Sequence, residues 1–390
     1  MFRLRHFPHP LLASVVSAAL LGACSGGSSS TVSPPTTSTS GPWVMGYAVG
    51  YESSLLPLNE LHWSSLTHVA VGRAVPRTDG TLSTTFDIDA VNGPVWAKSV
   101  VTQAHAHNVK AILMLGGAGE HAGFVGAASA ANRSAFVQNI LSVVQSYGFD
   151  GVDLDWEPLE SADEAPLLAL AKALKQAQPG LLLTLPVNFV NVNFPTQEAR
   201  PSLAALAGTF DRINIMSYGM AGVYPGWNAW HSSALAGETD STPTSVQSSV
   251  KAFLAAGLPA AELGVGIGFY GLCYQGVTAP GQNKAAMKIV ADDGDMSYVN
   301  IVGHYATPAA KKWDAGAQVP YLSSATPLGS KGCTYVSYED ADSIAQKGSY
   351  ARAQGLGGVI IWTLAQGHFP GNPASGSDPL LDAAHAAFRP

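Results

Sequence analysis

Charged side chains are scarce in this sequence, at 12% of its 390 residues, against roughly 25% in an average soluble domain. That scarcity argues for a quiet surface. Basic residues are the fewer of the charged set, with 20 Lys and Arg against 27 Asp and Glu and a formal net charge of -7. No basic stripe emerges, which argues against nucleic acid as a partner. Cysteine is rarer still, with three in the chain: Cys24, Cys273 and Cys333. No C-x-x-C pair, H-E-x-x-H or P-loop pattern occurs. Neither a metal nor a nucleotide, nor any other cofactor, has support in the pattern.

What is abundant is apolar, 47% of the residues, enough for a large core. The length admits two or three domains, or a single (β/α)₈ barrel carrying insertions. From Trp43 onward short apolar runs alternate with Ala-rich stretches. Strands are expected at Val44–Ala48, Leu66–Val71, Lys110–Leu115, Gly151–Asp155, Leu181–Pro186, Ile213–Met216, Leu263–Gly268 and Gly358–Trp362. Between them Pro94–His107, Ala130–Tyr147, Ala162–Ala177 and Thr244–Ala256 carry helical spacing. Alternation of this kind favours a parallel sheet, and eight units favour a closed (β/α)₈ TIM barrel, an α/β fold. No G-x-G-x-x-G follows the first strand, which lowers a dinucleotide-binding alternative. The gap from Phe269 to about Val336 is too long for a structureless loop. A small insertion subdomain after strand seven, at about 270–335, is expected there. Cys273 and Cys333 bracket it, so either a disulfide or two buried thiols would fit.

The N-terminal region reads as an address. Arg3, Arg5 and His6 precede a short apolar run, Leu11 to Ala23, too short for a bilayer span of about 20 residues. It ends Leu21-Gly22-Ala23-Cys24, which resembles the bacterial lipobox. The resemblance implies a signal peptide over 1–23 and diacylation of Cys24, with Ser25 favouring the outer membrane. Residues 24–41 are rich in Ser, Thr, Gly and Pro and hold Val32 as their one large apolar side chain, the composition of a flexible tether. The barrel then occupies 42–390. A lipid-anchored or secreted monomer of the cell envelope is the expectation.

The chemistry lies in Phe149-Asp150-Gly151-Val152-Asp153-Leu154-Asp155-Trp156-Glu157. Strand alternation puts Asp153, Asp155 and Glu157 on one face and Val152, Leu154 and Trp156 on the other. The apolar set suits a helix layer, leaving three carboxyls inside a barrel at its C-terminal mouth, where such folds carry their active sites. Three acids so close cannot all ionise, so a proton is retained near neutral pH, as a general acid requires. Glu157, last in the row, would reach furthest into a cleft. A calcium loop fits poorly, because the acids sit on an apolar strand and the EF-hand glycine and terminal glutamate are missing. Asp292-Asp293-Gly294-Asp295, by contrast, reads as an exposed turn without a role.

DGVDLDWE resembles the D-G-x-D-x-D-x-E signature of glycoside hydrolase family 18, the chitinases and their relatives. The likeness extends from Trp43 to Gln366. LMLGG at 113–117 is similar to the family's third-strand motif and INIMSYG at 213–219 to its sixth-strand motif. GVGIGFYG at 264–271 resembles the seventh strand, and VSYEDADSIAQK at 336–347 with GLGGVIIW at 355–362 the approach to the eighth. The resemblance implies cleavage of a chitin-type polymer or N-acetylglucosamine oligomer, with the substrate's own acetamido oxygen as nucleophile. Glu157 would then be acid and base, Asp155 would orient the acetamido N–H, Asp153 would share a proton with it, and Tyr218 would hold the acetamido carbonyl. Trp362 would form the floor under the sugar, with a core tryptophan as the alternative. Tyr47, Met216, Trp227 and Trp230 are further cleft candidates that would equally suit a core. Three positions depart from the pattern: Gly219 replaces an aspartate, Met114 a serine and Arg73 a phenylalanine. Arg73 would either meet an anionic substituent or pair with an acid at the rim. An endo-β-N-acetylglucosaminidase acting on glycoprotein glycans and a non-catalytic chitin-binding lectin are the competing readings.

Overall fold

The computed structural model describes residues 41–193, 201–371 and 376–390. The expected signal peptide, the tether up to residue 40 and the lipidation site Cys24 lie outside the described residues. Eight parallel strands form the centre: β1 Trp43–Val49, β2 His68–Pro76, β3 Lys110–Gly117, β4 Gly151–Trp156, β5 Leu182–Asn188, β6 Arg212–Met216, β7 Leu263–Gly268 and β8 Gly358–Trp362. Their order is β1-β8-β7-β6-β5-β4-β3-β2, and a β1–β2 pairing closes the ring. Each expected strand is present. The α/β barrel read from the alternating pattern is the observed fold.

Around the ring lie α1 Asn92–Ala106, α2 Arg133–Tyr147, α3 Glu164–Ala177, α4 Val246–Ala255, α5 Ala341–Ala353 and α6 Pro379–Phe388. Short 3₁₀ turns occupy the connections from β1 to β2 and from β5 to β6. Alternation on the strands divides the core in two. Val152, Leu154 and Trp156 belong to the large cluster under the helices, while Met45, Tyr47, Ile112, Met114 and Ile360 fill the barrel's interior. Several strands run longer than expected, β2 and β3 to most effect. β2 continues through Arg73 to Pro76 and β3 through Gly117, carrying both to the mouth.

Between β7 and β8 the chain builds a second sheet, five-stranded and antiparallel, with segments in the order 288–291, 272–275, 333–337, 319–328, 311–314. Cys273 and Cys333 are joined by a disulfide between adjacent strands, with Cα atoms 5.3 Å apart. Met296, Ile301, Tyr305, Leu322 and Val336 form a core of their own around it. Among the described residues, no helix is long and apolar enough to cross a membrane.

Candidate active site

The row of acids begins in the barrel floor and ends at its mouth. Asp153 and Asp155 lie on β4, 0% and 3% exposed, and Glu157 follows the strand end half-buried. This gradient leaves Glu157 the most accessible to a substrate. Asp153 accepts a hydrogen bond from the Tyr47 hydroxyl at 2.7 Å and another from Thr184 on β5. Burial pushes its carboxyl up to about 6, with the two donors opposing that rise and the charge of Glu157 adding to it.

Asp155 is held well above the usual carboxylate range, first by burial and then by the charges of Glu157 and Asp153. Glu157 is raised by burial, while a hydrogen bond from Asp155 and the charge of Arg73 pull it back down. Asp155 and Glu157 share a hydrogen bond, and both carboxyls are raised above the ordinary carboxylate range, burial being the first cause in each. The proton expected to be retained on this strand is shared between the two. Among the described residues, the second Asp155 oxygen, Oδ1, is buried without a hydrogen-bond partner. A buried carboxylate oxygen left open beside a proton donor is a ready acceptor for an incoming N–H.

Tyr218 stands at the end of β6, its ring across β7. Cβ atoms at Gly266 and Gly268 would come within 2.7 Å of the Tyr218 and Tyr270 rings respectively, so both glycines are needed for that close approach. The two tyrosines meet edge-on with centroids 6.1 Å apart. Burial keeps the Tyr218 hydroxyl protonated, reinforced by Tyr270 and the acids. Trp362 ends β8 partly exposed, its ring 5.4 Å from that of Tyr47, and Met216 packs with both on the inner cluster.

The structure thus gathers Asp153, Asp155, Glu157, Tyr47, Tyr218, Trp362 and Met216 in one place. Two further tryptophans make other contacts. Trp230 is a core residue whose indole donates to the Thr244 carbonyl at 2.9 Å. Trp227 packs edge-on against Tyr224 in the loop after β6. Arg73 takes the rim-pairing role, bonding to Asp87 at 2.9 Å, Glu120 at 3.2 Å and the Gly116 carbonyl at 3.1 Å. Met114 fills the inner cluster beside it. Gly219 adopts φ 61°, and a Cβ there would come within 3.2 Å of the Tyr270 hydroxyl.

One reading needs correction. The 292–295 segment is not a free turn, because Asp293 Oδ1 accepts from the Trp362 indole at 3.3 Å and from Gln366 at 2.7 Å. A run of Asp and Gly looks like a solvated turn unless its partners, about 70 residues on, are known. Thr184, Tyr270, Gln366 and Glu52 were missed as well. Thr184 did leave a signal, as the hydroxyl in an otherwise apolar Leu181–Pro186 run. His121, Glu160 and Asp163 bring possible metal-ligating atoms within 4.8 Å, but Glu160 and Asp163 are engaged in a reciprocal helix cap.

The sequence profile of Glycosyl hydrolases family 18 matches residues 44–367. A probable endochitinase of Caenorhabditis elegans is 32% identical over 257 residues, 61% of this chain and 40% of that protein. Chitinase A1 of Niallia circulans is 28% identical over 272 residues, 61% of this chain and 38% of that protein. The matches thus span about two fifths of each relative's length. The Group IV chitinase of Ostrinia furnacalis, solved in complex with allosamidin, has the same fold, with a TM-score of 0.73 at 24% identity. The superposition covers 88% of this chain and 98% of that one.

Proposed function

The chain belongs to glycosyl hydrolases family 18, and from that premise we propose that it cleaves β-1,4-linked N-acetylglucosamine chains by a retaining, substrate-assisted route. The observation that carries this reading is the buried Oδ1 of Asp155, without a hydrogen-bond partner among the described residues, beside the bond to Glu157. An acetamido N–H donating to that oxygen favours the ionised form of Asp155 and drives the shared proton onto Glu157. Glu157 then protonates the glycosidic oxygen as its bond to C1 breaks and the acetamido oxygen attacks C1. The resulting oxazolinium ion carries positive charge next to Asp155, and a carboxylate in a water-poor site stabilises it well. Water attacks C1 next, giving its proton to Glu157 as the bond from C1 to the acetamido oxygen breaks and the acetamide re-forms, and the two inversions together retain configuration.

Tyr218, kept protonated, donates to the acetamido carbonyl and holds the attack geometry. Trp362 offers an aromatic face to the apolar side of the sugar, with Tyr47 and Met216 packed behind it. The protein acts as a monomer. Diacylation of Cys24 anchors it to the bacterial envelope, a point tested by loss of labelled-lipid incorporation in Cys24→Ala.

The test of function is Glu157→Gln assayed on N-acetylglucosamine oligomers, with circular dichroism to confirm folding. Turnover is expected to vanish, and full activity in that variant would end the proposal. The wild type, offered chitin oligomers beside a high-mannose glycopeptide, is expected to cut the oligomers. Cleavage of the glycopeptide alone would establish the endo-β-N-acetylglucosaminidase reading, and binding without cleavage of either the lectin.

A further inference from the structure

The contact between Asp293 and Trp362 joins the inserted subdomain to the end of β8, and it continues inward. Gln366 Nε2 donates both to Asp293 Oδ1, at 2.7 Å, and to Glu52 Oε1, at 2.9 Å. The second Glu52 oxygen accepts from the Thr363 hydroxyl, next to Trp362 in the chain. Glu52 and Gln366 are both buried, and among the described residues Gln366 Oε1 has no partner. Turning that amide over would face its oxygen to two carboxylates, so its orientation is fixed by Glu52 and Asp293 together. The backbone at Asp293 takes a left-handed φ of 40°, a conformation that costs energy in a residue other than glycine. The negative charge of Asp293 also acts on the neighbouring Tyr51 and Tyr270 hydroxyls.

We propose that Asp293 is a positioning residue: reaching in from the insertion, it fixes the Trp362 indole through Oδ1, braced by Gln366 and Glu52, and so sets the floor of the sugar site. The role as sugar floor rests on the function proposed above, whereas the clamp itself does not. The insertion is then part of the catalytic apparatus, because it supplies the acceptor that the β8 tryptophan needs. An indole held by one oriented acceptor cannot rock as a sugar ring distorts over it, and preorganisation of this kind appears in turnover more than in ground-state binding.

The experiment uses the full chain labelled with 5-fluorotryptophan, the Trp362 fluorine resonance being assigned by its absence in Trp362→Phe. Asp293→Ala is expected to shift or broaden that resonance and to lower kcat/KM on N-acetylglucosamine oligomers about tenfold, mostly in kcat. Asp293→Asn keeps an oxygen acceptor and is expected to retain the wild-type resonance with activity within about threefold. An unchanged Trp362 resonance in Asp293→Ala overturns the clamp, as does an Asp293→Asn protein indistinguishable from the alanine variant. Should the wild type cleave no such oligomer, the functional reading fails, while the resonances still decide whether Asp293 holds Trp362.

Discussion

The hydroxyl of Tyr47, on β1, donates to Asp153 on β4 at 2.7 Å from across the barrel interior, and the bond is sealed from water. Tyr47 read as a cleft candidate that would equally suit the core, and its hydroxyl is bonded to the deepest acid. Removing this donor in Tyr47→Phe leaves Thr184 as the other donor to the Asp153 carboxylate among the described residues. The charged form loses stabilisation, so the Asp153 pKa moves further above its present value of about 6. The acid limb of the pH–rate profile is expected to shift to higher pH, with kcat/KM down about tenfold at pH 6. Thr184→Val is expected to act in the same direction. Unchanged profiles in both variants would remove Asp153 from the reaction.

The acids also make the fold sensitive to pH in a sense opposite to that of most paired carboxylates. Asp153, Asp155 and Glu157 all have pKa values raised above their ordinary ones. The stability each contributes is fully present below the ordinary carboxylate pKa of about 4 and is lost as pH rises through the raised value. For Asp153 that window closes at about 6. Asp155→Asn and Glu157→Gln, which cannot ionise, are therefore expected to melt a few degrees higher than wild type at pH 7.5. The difference should shrink toward zero at pH 4. Calorimetry across that range checks the sign, and variants less stable than wild type at every pH would refute it.

Arg73 separates two roles by kinetics. Its guanidinium bonds to Asp87 and Glu120, and its charge pulls the Glu157 pKa downward. In Arg73→Met that pull is gone from Asp155 as well as from Glu157, so the pair keeps its shared proton to higher pH. The alkaline limb of the pH–rate profile, where the acid loses its proton, is expected to move up. KM for neutral oligomers should change by less than about threefold, since a rim pair contributes little to binding. A large KM increase with an unmoved limb would instead make Arg73 a substrate contact.

The residues legible in the sequence share one property: their meaning is local. Strand parity alone puts Asp153, Asp155 and Glu157 on one face and Trp156 beneath the helices. Hydrophobic runs likewise mark all eight barrel strands. What escaped was set by contacts distant in the chain. Asp293 looks like part of a turn until Trp362 and Gln366 arrive beside it. Trp230 offered the same indole as Trp362, and only the fold decides that one faces the cleft and the other the core.

The disulfide bears on both stability and site. Cys273 and Cys333 are separated by 60 residues, and closing a loop of that length restricts the unfolded chain by about 4 kcal/mol in the chain-entropy account. The loop contains Asp293, whose carboxylate meets Trp362, so loosening the insertion should reach the barrel mouth. The double variant Cys273→Ser, Cys333→Ser is expected to unfold at lower denaturant concentration, and its Trp362 environment should become more mobile than in wild type. Wild type treated with reductant should follow the same course, whereas the double variant should not respond to reductant at all. Denaturant titration with and without reductant makes the comparison. Wild-type stability in the double variant would mean that the cluster of Met296, Ile301, Leu322 and Val336 holds the insertion together without the covalent link.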